Sequence, residues 1–207
     1  MQALLNLVGA TPGATALLGA MLLASAIGLF VAPAVIERNL FSPYWLVPRR
    51  QYVTLVTSAF LHADLAHLFF NAFTFWAFAF PLERTIGTPR FVALYAVGLV
   101  ASDLGTYVKH RREPGYRTLG ASGAILAVLF ASIAYFPSGS LFILPIPVPI
   151  PAPLFALGYL AYSVYAARRG QGRVNHDAHL YGALAGIAFV LVTDAGAVGH
   201  AWRSLLG

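Results

Sequence analysis

Long apolar stretches, separated by short polar breaks, run along almost the whole chain. No charged side chain precedes Glu37, and Pro33 marks the exit of a first apolar run over about 16–35. Further runs cover about 53–80, 90–108, 120–136, 154–167 and 177–194. Each run is continuous rather than alternating, which predicts helices and argues against a transmembrane barrel. Between the first two runs, Pro43, Tyr44, Trp45 and Pro48 form an aromatic, proline-rich connection suited to a membrane interface. The second run is expected to end at Pro81, Leu82, Glu83 and Arg84. Six prolines at 137, 145, 147, 149, 151 and 153 rule out an ordinary helix there, so that stretch reads as an extended connection.

Composition turns these helices into membrane spans. The 207 residues are 59% hydrophobic and only 10% charged, with a mean hydropathy of +0.74. A soluble domain carries about 25% charged residues, and a span needs roughly 20 mostly apolar ones. The expectation is an all-α, polytopic membrane protein. It has six transmembrane helices in a single membrane domain over 1–207, embedded in a lipid bilayer. A signal peptide is not expected, because the start of the chain lacks a basic segment. No cysteine is present, which removes disulfides, thiolate metal sites and cysteine nucleophiles.

The net charge of +6 resides mostly in short loops. Juxtamembrane anchoring explains it, and no basic run interleaved with aromatics suggests a nucleic-acid partner. Ten of the thirteen basic residues lie in the loops after the first, third and fifth runs: Arg38, Arg49, Arg50, Lys109, Arg111, Arg112, Arg117, Arg168, Arg169 and Arg173. The positive-inside rule places those loops in the cytoplasm and the N-terminus outside.

The candidate chemistry lies inside the apolar runs. Gly120-Ala121-Ser122-Gly123 opens the fourth run. Read alone, it is a packing element, because Gly123, Ala127 and Ala131 form a small ridge at four-residue spacing. Yet a hydroxyl freed of bulky neighbours at a helix start also meets free N–H groups and the positive dipole end. Ala178, Gly182 and Gly186 form a second ridge beside His179. Packing that ridge on the fourth run would bring an imidazole to Ser122, and histidine is the usual base for a serine hydroxyl. His67 and Asn71, at i and i+4, share one helix face and can both donate hydrogen bonds. His62 falls on another part of that helix, near the interface, with Asp64 as a possible partner. His176 and His179 share a face, but His62 and His67 do not align and no acid is placed as a third ligand. No metal and no cofactor is therefore expected.

Taken in order, these motifs resemble the rhomboid intramembrane serine proteases, from about Thr57 to Gly186. The resemblance rests on Phe60-Leu61-His62, His67 with Asn71, Leu82-Glu83 with Gly87 and Phe91, Gly120 to Ala124, and Ala178-His179 with Gly182 and Gly186. It implies a six-helix fold with a Ser–His dyad and no third acid. Ser122 would be the nucleophile and His179 the general base. His67, Asn71 and the Ser122 backbone N–H would form the oxyanion hole, with Gly120, Gly123, Gly182 and Gly186 as packing support. The fourth span would start below the membrane surface, in a water-filled cavity. Substrates would be single-span membrane proteins cut in or near their transmembrane helix. The alternative is a rhomboid-like non-protease that binds or escorts membrane proteins.

The chain departs from the family pattern at two places. Val53-Thr54 stands where many rhomboids have Trp-Arg in the first loop, and Leu126 where many bacterial members have a tyrosine stacked on the base. Another group must therefore orient His179. The resemblance also implies a site that opens away from the cytoplasm, against the loop charge, in a bacterial inner membrane. The short fifth span and the loop 168–177, with Gly170 and Gly172, are candidates for a moving lid.

Overall fold

The computed structural model describes residues 8–143, 146–169 and 174–206. Gly170, Gly172 and Arg173 of the expected lid loop lie outside the described residues. Helix α1 spans Pro12–Ala26 and continues through a wider π-helical turn over Ile27–Val31. Proline at its first position has no N–H to leave unpaired. Pro33 then breaks the chain into the short helices α2 (Ala34–Asn39), α3 (Pro43–Leu46) and α4 (Thr54–Thr57). The long helices α5 (Leu65–Ile86) and α6 (Thr88–His110) follow, joined at Gly87. The φ of +79° at Gly87 is left-handed and favours glycine. Helix α7 covers Ser122–Tyr135, α8 Ala152–Arg169, α9 His176–Thr193 and α10 Ala195–Leu206.

Among the described residues, four helical segments are long and apolar enough to cross a membrane: Pro12–Val31, Leu65–Ile86, Thr88–His110 and His176–Thr193. Helix α7 is apolar but shorter, with 14 residues. At 1.5 Å per residue it is about 21 Å long, less than a hydrocarbon core of roughly 30 Å.

Three expectations need correction. The second helix does not begin near 53. Residues Ser58–Phe60 form a single 3₁₀ turn, and α5 starts at Leu65 because the Asp64 carboxylate accepts the His67 N–H at 2.8 Å. Nor does α5 stop at Pro81. It runs through to Ile86, its proline close enough to the end to disturb one turn only. The proline-rich stretch is extended, as expected, but it pairs as a hairpin, β1 (Ser140–Ile143) antiparallel to β2 (Ile146–Pro151), so the fold is not purely helical. Prolines at alternate positions 147, 149 and 151 strip donors from one edge of β2, while Ile146, Val148 and Ile150 keep theirs. The tail after Thr193 is helical, as α10.

The core centres on α7, whose residues from Gly123 to Ser132 are all buried. Helix α9 crosses it at backbone contact. A Cβ added to Gly182 would fall 2.0 Å from the Gly123 carbonyl oxygen, and one on Gly186 would fall 2.2 Å from that of Ala127. On α6, a Cβ at Gly98 would meet the Ala127 Cβ at 2.4 Å, and the space beside Gly105 is filled by the Tyr181 ring. Small residues thus let three helices approach far more closely than leucine would allow.

Helix α1 is tied to this bundle through Glu83. That buried carboxylate accepts the N–H groups of Gly13 (2.9 Å) and Ala14 (2.6 Å) and the Thr88 hydroxyl (2.7 Å). It therefore caps the start of α1 from another helix, matching negative charge to the positive dipole end. The basic loops over 37–52 and 109–117 lie together at the end of the bundle where α7 begins, joined by the Phe41–Thr118 and Trp45–Pro114 hydrogen bonds.

Candidate active site

The first loop is fastened to the segment before α7 without a Trp-Arg pair at 53–54. Phe41 and Thr118 exchange both backbone hydrogen bonds (2.9 and 3.0 Å), and Ser42 donates to the Tyr116 carbonyl at 3.1 Å. The Trp45 indole donates to the Pro114 carbonyl at 3.2 Å, while Arg49 lies over the Trp45 ring at 3.8 Å. These contacts hold the strand-like approach to Ser122 in place.

Gly120 turns that approach into the helix. Its φ is +119°, and its N–H donates to the Ser58 carbonyl at 3.0 Å. A side chain would not fit there: a Cβ would lie 2.9 Å from His67 Nε2 and 3.8 Å from Asn71 Nδ2. The two donors on α5 therefore cover the backbone just before Ser122. His67 is held at the third position of α5 by the Asp64 cap. Asn71 is buried, and its Nδ2 has no hydrogen-bond partner among the described residues.

Ser122 is the first residue of α7, and no side chain caps that end. The first intrahelical bond belongs to Ile125, whose N–H reaches the Ala121 carbonyl at 3.0 Å. The preceding N–H groups face the space beside Ser122 with the helix dipole behind them. Across from them, His179 Nε2 lies 2.8 Å from Ser122 Oγ. His179 sits in the first turn of α9, whose N-cap Asn175 accepts the Ala178 N–H at 3.0 Å. Asn175 also donates to the Thr106 hydroxyl at 3.0 Å, which fixes the start of α9 against α6. Asp177 accepts hydrogen bonds from Lys109 Nζ (2.8 Å) and His110 Nε2 (3.1 Å) at the same junction.

The structure thus brings Ser122, His179, His67, Asn71 and Gly120 together. Gly123, Gly182 and Gly186 lie in the contact between α7 and its neighbours. A hydroxyl within hydrogen-bond reach of an imidazole, beside uncapped N–H groups and an unpaired amide, is an arrangement suited to acyl transfer.

Two findings were not anticipated. The first is that His62 is neither helical nor near the surface. It is fully buried in the loop before α5, with Nδ1 2.9 Å from the Ser25 hydroxyl of α1 and its ring edge-on to His67 at 4.8 Å. Burial, reinforced by nearby His67, pushes its pKa down to about 3 against the pull of Asp64, so the ring is neutral. The second is Tyr159 on α8, whose hydroxyl lies 3.0 Å from His179 Nδ1. Its ring stacks on Phe155 and tilts against Phe130. In sequence, Tyr159 is one of three tyrosines, with Tyr162 and Tyr165, in the fifth apolar run. The one available signal was that a tyrosine hydroxyl within an apolar run needs a partner.

An integral membrane protein built on a small-residue helical bundle, with this hydroxyl–imidazole pair at an uncapped helix start, defines a narrow class. The rhomboid domain family matches residues 49–194, more than half of the chain, and the chain belongs to the rhomboid family. It is 33% identical to human presenilin-associated rhomboid-like protein, mitochondrial, over 138 residues, which is 66% of this chain and 36% of that protein. Rhomboid protein 1, mitochondrial, of Saccharomyces cerevisiae is 29% identical over 156 residues, covering 72% of this chain and 45% of the yeast protein. A Bacillus subtilis (strain 168) protein named "Putative rhomboid protease YdcA" is 37% identical over 95 residues, covering 45% of this chain and 47% of its own length. The chain spans less than half the length of each of these three relatives.

Proposed function

We propose that the chain is an intramembrane serine endopeptidase that cleaves single-span membrane proteins in or near their transmembrane helix. The observation that carries this reading is the 2.8 Å approach of His179 Nε2 to Ser122 Oγ at the uncapped start of α7. In the mechanism, Ser122 Oγ attacks the scissile carbonyl carbon while its proton passes to His179 Nε2. The developing oxyanion is met by the Ser122 N–H, the Asn71 amide and His67. His179 then protonates the leaving amine, and water, activated by the same base, hydrolyses the acyl-enzyme.

Six spanning elements complete the reading, with α7 and α8 beside the four long apolar helices. A helix of about 21 Å leaves part of the bilayer depth to other structure. The uncapped start of α7 therefore lies below the surface, where hydrolysis needs a water-filled cavity. The expectation of a bacterial inner membrane gains nothing from the human and yeast relatives, whose names place them in mitochondria.

The test is cleavage of a panel of single-span substrates by the purified protein in proteoliposomes. Cleavage is expected, with Ser122→Ala and His179→Ala each abolishing it and a fluorophosphonate labelling Ser122 alone. Binding of the same substrates without cleavage or labelling would instead support a rhomboid-like escort. Cleavage that survives in Ser122→Ala would sink the serine mechanism.

A further inference from the structure

A serine–histidine pair leaves one problem unsolved. Nε2 can take the Ser122 proton only if it carries none, so the ring proton must sit on Nδ1. In water the two tautomers interconvert freely, and triads use an acid at Nδ1 to choose between them. No acidic side chain contacts His179 among the described residues. The position where many bacterial rhomboids stack a tyrosine holds Leu126.

We propose that Tyr159 is the positioning residue of this site: its hydroxyl oxygen accepts the Nδ1–H of His179 and so holds Nε2 bare toward Ser122. The inference rests on the reading of Ser122 and His179 as nucleophile and base. Three observations converge on it. His179 is bridged at both nitrogens, to Ser122 Oγ at 2.8 Å and to Tyr159 Oη at 3.0 Å. The Tyr159 ring is fixed by Phe155, stacked at 5.6 Å between centroids, and by Phe130 at 5.9 Å. One turn further along α8, the fully buried Ser163 hydroxyl lies beside Tyr159 and has no hydrogen-bond partner among the described residues.

Hydroxyls both donate and accept, so either direction satisfies His179, but only one leaves Nε2 bare and turns the Tyr159 hydroxyl toward Ser163. Ser122 Oγ–H donates to Nε2, Nδ1–H donates to Tyr159 Oη, and Tyr159 Oη–H turns to Ser163 Oγ. If Tyr159 donated to Nδ1 instead, Nε2 would carry the proton and Ser122 would face a donor. During acyl transfer the Ser122 proton moves to Nε2 and later to the leaving amine. Tyr159 gains and loses no proton, and it accepts from Nδ1–H in both the imidazole and the imidazolium states. A carboxylate would stabilise the imidazolium more strongly, but an ionised acid inside a membrane bundle is expensive. A neutral phenol avoids that cost and still selects the tautomer.

Tyr159→Phe removes the hydroxyl and keeps the ring packing. With the full chain in proteoliposomes and a single-span substrate, kcat is expected to fall about 10-fold to 100-fold with KM unchanged. That is less than the roughly 10⁴-fold lost when the orienting aspartate of a triad is converted to its amide. Labelling of Ser122 by a small fluorophosphonate should slow by the same factor, because that probe needs the base and no substrate helix. Nitrogen-15 spectra of histidine-labelled protein, assigned with His179→Gln, should show His179 protonated at Nδ1 and a mixed tautomer in Tyr159→Phe. Wild-type kcat, labelling rate and tautomer in Tyr159→Phe would overturn the proposal, leaving the tyrosine as packing. So would a loss confined to KM, which would mean that Tyr159 touches substrate. If the wild-type protein neither cleaves nor takes the probe, the protease reading fails by itself. The tautomer spectra still decide whether Tyr159 sets the ring proton.

Discussion

A buried amide with no partner marks a place where stability has been given up. Leaving such a donor unsatisfied costs about 1–3 kcal/mol, and among the described residues Asn71 Nδ2 is in that position beside Gly120. Replacing Asn71 by Ala is expected to lower turnover by roughly 10²-fold, as loss of one oxyanion donor does, while the thermal midpoint holds or rises. Turnover and calorimetry on the same preparation check both halves. An unchanged rate would remove Asn71 from the oxyanion hole. The sharing of a face by His67 and Asn71 was legible from four-residue spacing, but the backbone they cover was not. That depends on the φ of +119° at Gly120, which spacing cannot reveal. His62 was misplaced because the apolar run before it reads as helix. The Asp64 cap restarts the helix three residues later, and His62 is left in a buried loop bonded to Ser25.

At the scale of elements, the packing of α9 on α7 sets the distance between His179 and Ser122. The small-residue ridge at Ala178, Gly182 and Gly186 was readable as a close-contact face, and Gly182 and Gly186 meet the α7 backbone there. A Cβ on Gly182 would fall 2.0 Å from the Gly123 carbonyl oxygen, so helix α9 must shift to accept it. Overpacking of this kind costs about 1–3 kcal/mol. Gly182→Ala is therefore expected to lower the melting temperature in detergent and to slow fluorophosphonate labelling sharply, because the His179 ring moves off Ser122. A variant that melts and labels like wild type would show that the two helices are not in backbone contact. The hairpin was hidden for a different reason. Alternating prolines forbid a helix, but strand pairing depends on which edge keeps its N–H groups, and on a partner strand that alternation alone does not identify.

Across the whole molecule, α1 is locked to the rest through His62 as well as Glu83. The ring bonds Ser25 on α1 and packs on His67 of α5. Its pKa is lowered from 6.5 to about 3 in the fold, so below 6.5 the unfolded chain binds a proton that the folded chain does not. Its contribution is fully present above pH 6.5 and is lost as pH falls toward 3. Melting temperatures across that window should fall on acidification, and His62→Gln should flatten the slope. Equal slopes would show that the His62 ring takes up its proton without disturbing the fold. The loops over 37–52 and 109–117 share one end of the bundle with Ser122, so on the protease reading the compartment that end faces also supplies the water. Glu83 has a last consequence, for anyone trimming the chain to the family-matched segment 49–194. Such a fragment would inherit a carboxylate in an apolar interior without the Gly13 and Ala14 amides that hydrogen-bond it, with Thr88 as its remaining donor among the described residues. The boundary drawn by sequence similarity is thus not a boundary the molecule can be cut along.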